Sequence, residues 1–536
     1  MFSFAYIPVI TKLIDKKHNL KLRMISKGYD QLKNEDNLQL IARLKSHLTV
    51  DFDKDFSDAM FIKIVGGIKI PSVALKQYYI YKIISATSFN KAVLYSYGTG
   101  NGISFPLPLS SQRSIVNNNI TVNRIMSSVL WILSIIKRYL IGVAIYFRSI
   151  KKKITYRKIV APKTKYIRFF GLSNNNLPIE NKVTFDTVSW FLRYRKGHDI
   201  EAIVHDVNVP NSFVHNGVDI YYSKDEIPVI KNPYHFIKFI VNGFLLLAYS
   251  FVKLLCGQWQ YALLLGELIK ALELQYVDKD MLPSECMFNN SDWLYRPLWS
   301  YVAESRGCDI QFYFYSTNIE AFKLQSGYQL MLNNWDLCTW PNYLVWDEYQ
   351  ENFIKREIKY FSNIKIVGHI WGSDSDEFLQ NLPDDSIAIF DVQPTNPTVY
   401  KELGLDYEYC TPEVICKFIN DIFDVFNQKN HLALKQKRKP EDDRVHEKYS
   451  KLINELESER LDIINPGIAA IRLIDECKAV ISLPFTSTAL IGSEAGKISI
   501  YYDPTGKLQK DDRAAHGILL ISGKKELQQW AIQKMH

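Results

Sequence analysis

The sequence predicts an α/β protein with two doubly wound domains that face a cleft. From residue 386 onward, short β-branched runs alternate with helical stretches, which is the pattern of a parallel sheet with crossover helices. Further strand-like runs occur among the first 370 residues, where two long apolar stretches separate them. A chain of 536 residues also exceeds what one hydrophobic core usually serves, so two or three domains are expected.

We place an N-terminal domain at 1–370, a polar and acidic linker at 371–385 and a C-terminal domain at 386–536. The strands predicted in the N-terminal domain are Lys91–Tyr97, Tyr166–Gly171, Ile200–Val204, Glu285–Phe288, Asp309–Tyr315, Tyr343–Trp346 and Ile364–Val367. Those predicted in the C-terminal domain are Ser386–Val392, His431–Leu434, Leu461–Ile464, Ala479–Leu483 and Ser499–Tyr502. No Gly-x-Gly-x-x-Gly fingerprint is present, so a dinucleotide is not expected.

One β-α-β unit, at 478–503, carries the strongest functional signal. Its first strand ends in Ser482-Leu-Pro-Phe, and Thr486, Ser487 and Thr488 follow where the helix begins. Hydroxyl side chains at such a position cap free N–H groups, and a helix N-terminus also binds anions. A phosphate site and an ordinary N-cap are both compatible with this pattern.

The run Ser482–Ala489, followed by Gly496–Pro504, resembles bacterial polysaccharide biosynthesis proteins named for their Pro-Phe-Thr-Ser motif. These proteins are similar to GT-B glycosyltransferases, including those that use CMP-activated Kdo or sialic-acid-like sugars. The resemblance covers the C-terminal third of the chain. It implies a GT-B-like fold, a nucleotide-sugar donor, a lipid-linked glycan acceptor and no metal or other cofactor.

Donor-binding candidates come from three loops that a doubly wound sheet brings to one edge. They supply hydrogen-bond donors and cations for a phosphate, and Glu494 lies two helical turns beyond Ser487, within reach of a ribose hydroxyl. The candidates are Gln393, Lys435, Lys437, Thr486, Ser487, Thr488 and Glu494. The alternatives are a solvated basic turn for the lysines and a solvent-facing position for Glu494.

Catalytic candidates are expected at strand ends of the N-terminal domain. A general base needs a carboxylate or imidazole within hydrogen-bond reach of the acceptor hydroxyl. His205, Asp206, Asp292 and Glu320 meet the sequence criterion, and each could instead be a cap or loop residue. A carboxylate nucleophile is the alternative if the anomeric configuration is retained. The Asp-x-Asp pairs lie in polar loops and are interpreted as solvated surface, so no metal site is predicted.

The distribution of charge predicts a membrane partner. Residues 59–179 contain 18 lysines and arginines and no acidic residue, although the whole chain carries a net charge of +8. The segments at about 125–158 and 235–256 combine apolar runs with flanking lysines and arginines. Such segments suit helices that lie in an anionic membrane surface, inserted in the N-terminal domain. Buried core helices are the alternative, and no nucleic-acid fingerprint appears.

These observations lead to a membrane-associated glycosyltransferase of surface polysaccharide assembly, such as a capsule or O-antigen. A UDP-sugar transferase, an epimerase on the same fold and a non-catalytic membrane-bound scaffold are the alternatives. The odd number of cysteines, seven, argues against a disulfide framework, and the N-terminus lacks the basic start of a signal peptide. The expected location is the cytoplasmic face of the bacterial inner membrane.

Overall fold

A computed structural model provides the fold. It describes residues 44–49, 52, 68, 70–86, 108, 124–155, 165–178, 187–195, 200–209, 212–290, 293, 295–328, 335–370, 382–395, 409, 411–426, 428–438, 445–457 and 460–535. The predicted strand Lys91–Tyr97, the candidate Asp292 and residues 371–381 of the predicted linker lie outside these residues.

The N-terminal part is built around one large sheet. Its strands in chain order are β1 (Tyr166–Phe169), β2 (Ala202–His205), β3 (Phe213–His215), β4 (Val218–Tyr222), β5 (Glu285–Asn289), β6 (Asp309–Tyr313), β7 (Lys323–Leu324), β8 (Gly327–Tyr328), β9 (Asn342–Val345) and β10 (Asn363–Ile366). Strands β7 and β8 form a separate hairpin, and the other eight have the order β10-β9-β6-β5-β1-β2-β4-β3. All neighbours in that sheet are parallel except β3, which pairs antiparallel with β4.

The C-terminal part contains a second parallel sheet. Its strands are β11 (Ile387–Phe390), β12 (Leu432–Lys435), β13 (Leu461–Ile464), β14 (Ala479–Ser482), β15 (Ile498–Asp503) and β16 (Leu519–Ser522). Their order is β13-β12-β11-β14-β15-β16. The two parallel sheets confirm the predicted pair of doubly wound α/β units. The domain boundaries themselves stay a prediction, since part of the linker is not described.

Each sheet has a point where the strand order reverses. In the N-terminal sheet this switch point lies between β1 and β5, and in the C-terminal sheet it lies between β11 and β14. Ligands of open α/β sheets bind outside the carboxyl ends of the strands at such points. The central strands β1, β2, β5, β11 and β14 are buried along their whole length, as expected where helices cover both faces of a parallel sheet.

Helices connect and cover the strands. In chain order they are α1 (Ser72–Ala86), α2 (Arg124–Thr155), α3 (Thr187–Tyr194), α4 (Pro233–Leu255), α5 (Gln260–Tyr276), α6 (Trp299–Ser305), α7 (Glu348–Glu357), α8 (Pro412–Phe426), α9 (Glu447–Leu456), α10 (Ala470–Glu476), α11 (Ser487–Glu494) and α12 (Gly523–Lys534). Strand β16 and helix α12 were not predicted. Leu519–Ser522 is only four residues long, and the turn signal after it is the single glycine Gly523, whose φ is positive and which begins the helix.

The two apolar segments form the long helices α2 and α4. Both pack against α5, which is itself buried and packs on α6 beside the sheet. Small residues permit this approach. A Cβ added to Gly142 of α2 would lie 2.5 Å from Leu265 of α5, and one added to Gly243 of α4 would lie 2.4 Å from the ring of Tyr146. The far sides of α2 and α4 therefore face away from the protein core.

Both helices are long and apolar enough to cross a membrane when judged by length and composition alone. The qualifying spans among the described residues are Ser127–Thr155 and Pro233–Leu255. Their outward sides carry many exposed apolar side chains. On α2 these include Ile125, Ile132, Leu133, Leu140 and Phe147, and on α4 they include Ile237, Val241, Phe244, Phe251 and Leu255.

Candidate functional site

The N-terminus of α11 contacts the carboxyl edge of the N-terminal sheet. The hydroxyl of Ser487 accepts a hydrogen bond from the backbone N–H of Thr317 at 3.1 Å and lies 2.9 Å from the Thr317 hydroxyl. Thr317 follows β6, and both side chains are buried. The Pro-Phe-Thr-Ser turn of the C-terminal sheet therefore points at the N-terminal sheet, as a site between two domains requires.

The hydroxyls around this turn leave the helix N-terminus uncapped. Thr486 is the N-cap residue of α11, but its side chain makes no cap hydrogen bond. Its hydroxyl instead donates to the carbonyl of Leu483 at 3.0 Å, and the Thr488 hydroxyl lies 2.9 Å from that of Ser482. The first N–H groups of a helix have no intrahelical acceptor and carry the positive end of its dipole. They are thus suited to bind an anionic group.

The loops after β12 and β14 lie at the same edge of the sheet. The strand register pairs Phe390 of β11 with Lys435 on one side and with Ser482 on the other. Two strand spacings amount to about 10 Å, so Lys435 lies within the span of a sugar nucleotide from the Thr486 turn. Its ammonium group donates to the carbonyls of Gln436 and Pro466, each at 3.0 Å. Burial lowers its pKa to about 8.

Asp391 follows β11 directly and is the most perturbed carboxylate at this edge. Its Oδ2 accepts a hydrogen bond from the Tyr449 hydroxyl at 2.6 Å, whereas its Oδ1 is buried without a partner in the described part of the chain. Burial raises the pKa of Asp391 to about 7, and the positive charge of Lys435 opposes that rise only partly. Perturbed titratable groups of this kind concentrate at functional sites. Asp391 falls within the predicted strand Ser386–Val392 and is not among the site residues predicted from the sequence.

The remaining donor-side candidates have other surroundings. The Gln393 side chain is buried and exchanges two hydrogen bonds with the backbone of Arg438, so it holds the lysine loop in place. Lys437 is exposed. Glu494 lies at the opposite end of α11 from Thr486 and pairs with His369. This position makes Glu494 part of the contact between the two halves and separates it from the N-terminus of the helix.

The four catalytic candidates also differ in their surroundings. His205 is the last residue of β2 rather than a loop residue. It is fully buried, and its Nδ1 accepts from the Val207 N–H. Burial, together with the charge of Arg168, lowers its pKa to about 4, so the ring is neutral and weakly basic. Asp206 is exposed at the carboxyl end of β2, where it accepts a hydrogen bond from the Gly171 N–H at 3.1 Å. Asp292 is not described.

Glu320 is engaged by two arginines. Its carboxylate pairs with Arg356 of α7 and accepts from Arg513 Nε of the C-terminal part at 3.1 Å. Both of its oxygens are thus held in ion pairs while the side chain is buried. This geometry gives Glu320 a structural role between the halves, and we do not retain it as a base.

A carboxylate–imidazole pair between the halves was not predicted. Asp347 follows β9, accepts from the Gln350 N–H at 2.9 Å to cap α7, and lies 2.5 Å from His516 Nδ1 through its other oxygen. The Nε2 atom of His516 is buried and has no partner within the described ranges. A carboxylate that orients a histidine is a common arrangement for a general base. No sequence pattern links the two residues, which are 169 positions apart.

No metal cluster is found in the part of the chain that the structure describes, where no group of three or more His, Cys, Asp or Glu side chains could hold an ion. The groups at this site that can interact with an anion are the N–H groups of α11 and the Lys435 ammonium group, whereas the hydroxyls of Ser487 and Thr488 already make hydrogen bonds to Thr317 and Ser482. N–H and ammonium groups of this kind are suited to bind an anion such as a phosphate.

Two doubly wound parallel sheets in contact at the uncapped N-terminus of α11 define an α/β protein of the doubly wound class. The family model described as "Polysaccharide biosynthesis PFTS motif protein" matches residues 245–531, more than half of the chain. The protein belongs to this family, and Pro484–Ser487 is its Pro-Phe-Thr-Ser motif. A search of curated proteins gives no significant match.

Several solved structures are similar over much of the chain. UDP-GlcNAc 2-epimerase from Methanocaldococcus jannaschii shares 11% identity, with 69% of this chain and 92% of that chain covered and a TM-score of 0.34. The glycotransferase of kitacinnamycin shares 9% identity, with 70% and 91% covered and a TM-score of 0.34. A mutant O-GlcNAc transferase from Thermobaculum terrenum shares 10% identity, with 94% and 90% covered and a TM-score of 0.33. At this level of similarity none of them bears on the substrate of this protein.

Proposed function

We propose that this protein is a membrane-associated glycosyltransferase of bacterial surface polysaccharide biosynthesis. It transfers a sugar from a nucleotide-activated donor to a lipid-linked glycan of a capsule or O-antigen, at the cytoplasmic face of the inner membrane. Family membership supports the role in polysaccharide assembly. The resemblance of the Pro-Phe-Thr-Ser run to enzymes that use CMP-activated sugars makes CMP the expected leaving group.

The observation that carries the proposal is the uncapped N-terminus of α11 between the two sheets. The Thr486 hydroxyl does not satisfy its N–H groups, and Ser487 already contacts the opposite domain through Thr317. A donor phosphate bound there lies between the switch points of both sheets. Lys435 at the same edge offsets the charge that develops on the leaving nucleotide.

On the acceptor side, Asp206 is the carboxylate that best suits a general base. It is exposed and lies at the carboxyl end of β2, next to the loop that follows β1. Three strand spacings, from β2 through β1 and β5 to β6, separate it from the Thr317 position, a span of about 14 Å. That span is long enough for the acceptor sugar, the donor sugar and the donor phosphate to lie in a row. His516, oriented by Asp347, is the second candidate base.

The outward faces of α2 and α4 support attachment to a membrane surface. Both helices pack lengthwise on the buried helix α5, and each keeps a row of apolar side chains exposed. The C-terminal end of α2 is fixed by an ion pair of 2.6 Å between Lys152 and Glu273 of α5, to which the Ser149 hydroxyl also donates. Helices held flat on a domain in this way favour insertion in the plane of the membrane over a transverse span.

Calorimetric titration with CMP, UDP and GDP tests the donor site. Wild-type protein is expected to bind CMP most tightly, and the double variant Ser487→Ala/Thr488→Ala should lose about 1–3 kcal/mol of affinity, as for hydrogen bonds to a charged group. Unchanged affinity in a folded double variant refutes the site. Tighter binding of UDP than of CMP overturns only the donor assignment, and no binding of any nucleotide favours a non-catalytic scaffold.

Because Ser487 and Thr317 also join the halves, a matched control is needed. Thr317→Val removes the hydroxyl contact to Ser487 from the other side and leaves the α11 turn intact. If the Ser487 hydroxyl served only this contact, the two single variants would change nucleotide affinity alike. Loss of affinity in Ser487→Ala, with no loss in Thr317→Val, assigns the effect to the phosphate. Thermal melts of each variant exclude loss of fold.

A further inference from the structure

A mostly apolar cavity lies between the N-terminal sheet and the loop that leads into α4. One of its walls is a face of β1 and the residue after it, formed by Tyr166, Arg168 and Phe170, and its roof is the 225–229 loop. Its empty volume, counted with the open mouth, is about 820 Å³. The aromatic rings of Phe170 and Trp299 and several aliphatic side chains supply most of the lining. The empty volume includes open solvent at the mouth, and it is the mostly apolar lining that suits an apolar group.

Arg168 places a positive charge inside this apolar cavity. It lies on the central strand β1 and is only 6% exposed. One terminal nitrogen donates to the carbonyl of Ser223 at 3.0 Å, while Nε is buried and has no hydrogen-bond partner among the described residues. The guanidinium also lies 5.1 Å from the centre of the Phe170 ring. A buried charge that lacks a full set of partners is costly, so this one requires an explanation.

The carboxylates near the cavity do not supply the missing anion. Glu226 is 2.7 Å from the ammonium group of Lys270, and Asp225 lies 4.0 Å from Arg148. Asp206 accepts from the Gly171 N–H. Within the described ranges no carboxylate forms an ion pair with Arg168, whose pKa burial lowers. The cavity therefore combines an apolar wall with a cation that has no ion-pair partner among the described residues, although the charges of Asp206 and Glu226 act on it from further away.

The roof of the cavity is tied to the two apolar helices. Lys152 of α2 donates to the carbonyl of Ile227, and Lys153 donates to that of Lys231, both at 2.7 Å. Helix α4 begins at Pro233, a few residues beyond the roof. These hydrogen bonds link the roof of the cavity to the helices that carry exposed apolar side chains.

We propose that this cavity binds an amphiphilic anion, whose carboxylate or phosphate group pairs with Arg168 and whose apolar chain lies along Phe170 towards the mouth. The ligand supplies the counter-charge that the protein lacks, and the apolar wall holds the chain. This inference goes beyond the proposed function, since it concerns a second site and does not require sugar transfer. It assigns a second ligand site, whose roof is hydrogen-bonded to α2.

The test compares the full-length protein with Arg168→Met by calorimetry, using probes below their micellar concentrations. The probes are laurate, dodecyl phosphate, 1-dodecanol and inorganic phosphate. Wild-type protein should bind laurate or dodecyl phosphate, and Arg168→Met should weaken that binding about 10- to 100-fold, as for loss of a charge-assisted pair. Binding of 1-dodecanol should be the same in both proteins, and the tighter of the two amphiphiles identifies the head group.

Two outcomes overturn the proposal. One is equal affinity for the amphiphiles in wild-type protein and Arg168→Met. The other is binding of inorganic phosphate as tight as that of dodecyl phosphate, because the apolar wall would then contribute nothing. Replacement of a buried, incompletely paired charge by an apolar side chain of similar size should leave the melting temperature unchanged or raised. A lowered melting temperature would instead indicate that Arg168 serves the fold through Ser223.

A second variant keeps the test valid if Arg168→Met misfolds. Ala303 of α6 lines the cavity, and Ala303→Leu places extra volume inside it without altering any charge. This variant should weaken binding of laurate and of 1-dodecanol together by about tenfold or more, because both need the same apolar space. Unaltered binding of both probes in this variant would place the amphiphile elsewhere and overturn the assignment.

Discussion

Replacement of Asp391 by Asn should stabilise the protein, and the gain should grow with pH. In the native state burial raises the pKa of this carboxyl group to about 7 from an ordinary value of 3.8. Between these two values the native state holds a proton that the unfolded state has released. Stability contributed by this group therefore falls as pH rises through this range, and above pH 7 the full penalty is present.

The size of the effect follows from the shift. Each pKa unit corresponds to about 1.4 kcal/mol, so ionised Asp391 costs the native state about 4 kcal/mol at pH 8 and about 1.6 kcal/mol at pH 5. Asn cannot ionise, and its side-chain oxygen can still accept the hydrogen bond from Tyr449. The difference in unfolding free energy between Asp391→Asn and wild-type protein should therefore rise by about 2–3 kcal/mol from pH 5 to pH 8.

Urea unfolding of both proteins at pH 5, 6, 7 and 8 measures this difference. Titrating groups that do not interact with Asp391 contribute equally to both proteins and cancel in the comparison. An exception is Lys435, whose pKa Asp391 raises, so it adds a smaller difference near pH 8. A difference that stays constant with pH, or a loss of stability at pH 8, would contradict the reasoning. A rise in stability coupled with weaker nucleotide binding would indicate that the strained carboxylate is kept for function.

Three further predictions concern other parts of the molecule. The double variant Lys137→Glu/Lys151→Glu, at exposed positions of α2, should reduce flotation with anionic liposomes at low salt. The control Lys507→Glu, at an exposed position of the C-terminal half, should not. Equal flotation of wild-type protein on neutral and anionic lipid would refute an electrostatic contribution to membrane binding. When the pH is lowered from 6.5 to 4, wild-type protein should lose about 3 kcal/mol more stability than His205→Leu. In this range the unfolded histidine binds a proton, whereas the native ring, with its pKa near 4, stays largely neutral. Asp206→Asn should lower kcat at least about 100-fold with little change in nucleotide affinity, and an unchanged kcat would exclude it as the base.

The structure also changes the choice of variants for the membrane test. The lysine cluster after the apolar part of α2 looks from the sequence like a uniform basic patch. Lys152, however, pairs with buried Glu273, and Lys153 donates to the carbonyl of Lys231. Reversing their charge would disrupt the packing of α2 and α4 as well as any contact with lipid. Lys151 is exposed and reports on the membrane alone.

The sequence allowed the C-terminal sheet to be predicted because its strands are short, β-branched and separated by helices. Leu461–Ile464 was placed without error, and the turn at Thr486 was found from its hydroxyls between two strands. Side-chain environments could not be predicted in this way. His205 is a strand residue because β2 extends one position further than the apolar pattern, and Glu320 is bound by two arginines that are distant in sequence. Such contacts depend on how the halves pack.

The same limit applies to the strongest prediction from the sequence, the hydroxyl of Ser487. The pattern indicates a phosphate contact, yet in the structure this hydroxyl is hydrogen-bonded to both the N–H and the hydroxyl of Thr317. A phosphate at Ser487 must therefore replace an existing contact between the halves. The ion pair of Glu320 with Arg513 and the hydrogen bond between Asp347 and His516 join the same two halves.

Because of this competition, we expect that weakening the contact between Ser487 and Thr317 raises the affinity for nucleotide. Thr317→Val removes one of the two partners of Ser487 while preserving the shape of the side chain, so the hydroxyl becomes easier to displace. Nucleotide affinity should rise by about 2- to 10-fold, the equivalent of one hydrogen bond of about 0.5–1.5 kcal/mol, although the contact between the halves is weakened. Calorimetry with CMP on Thr317→Val and Ser487→Ala measures both changes in affinity.

If the phosphate contacts only the backbone N–H groups of α11, neither variant changes the affinity. If Ser487 serves only to join the halves, both variants shift it in the same direction. Opposite shifts in the two variants are expected only when the phosphate and Thr317 compete for the same hydroxyl.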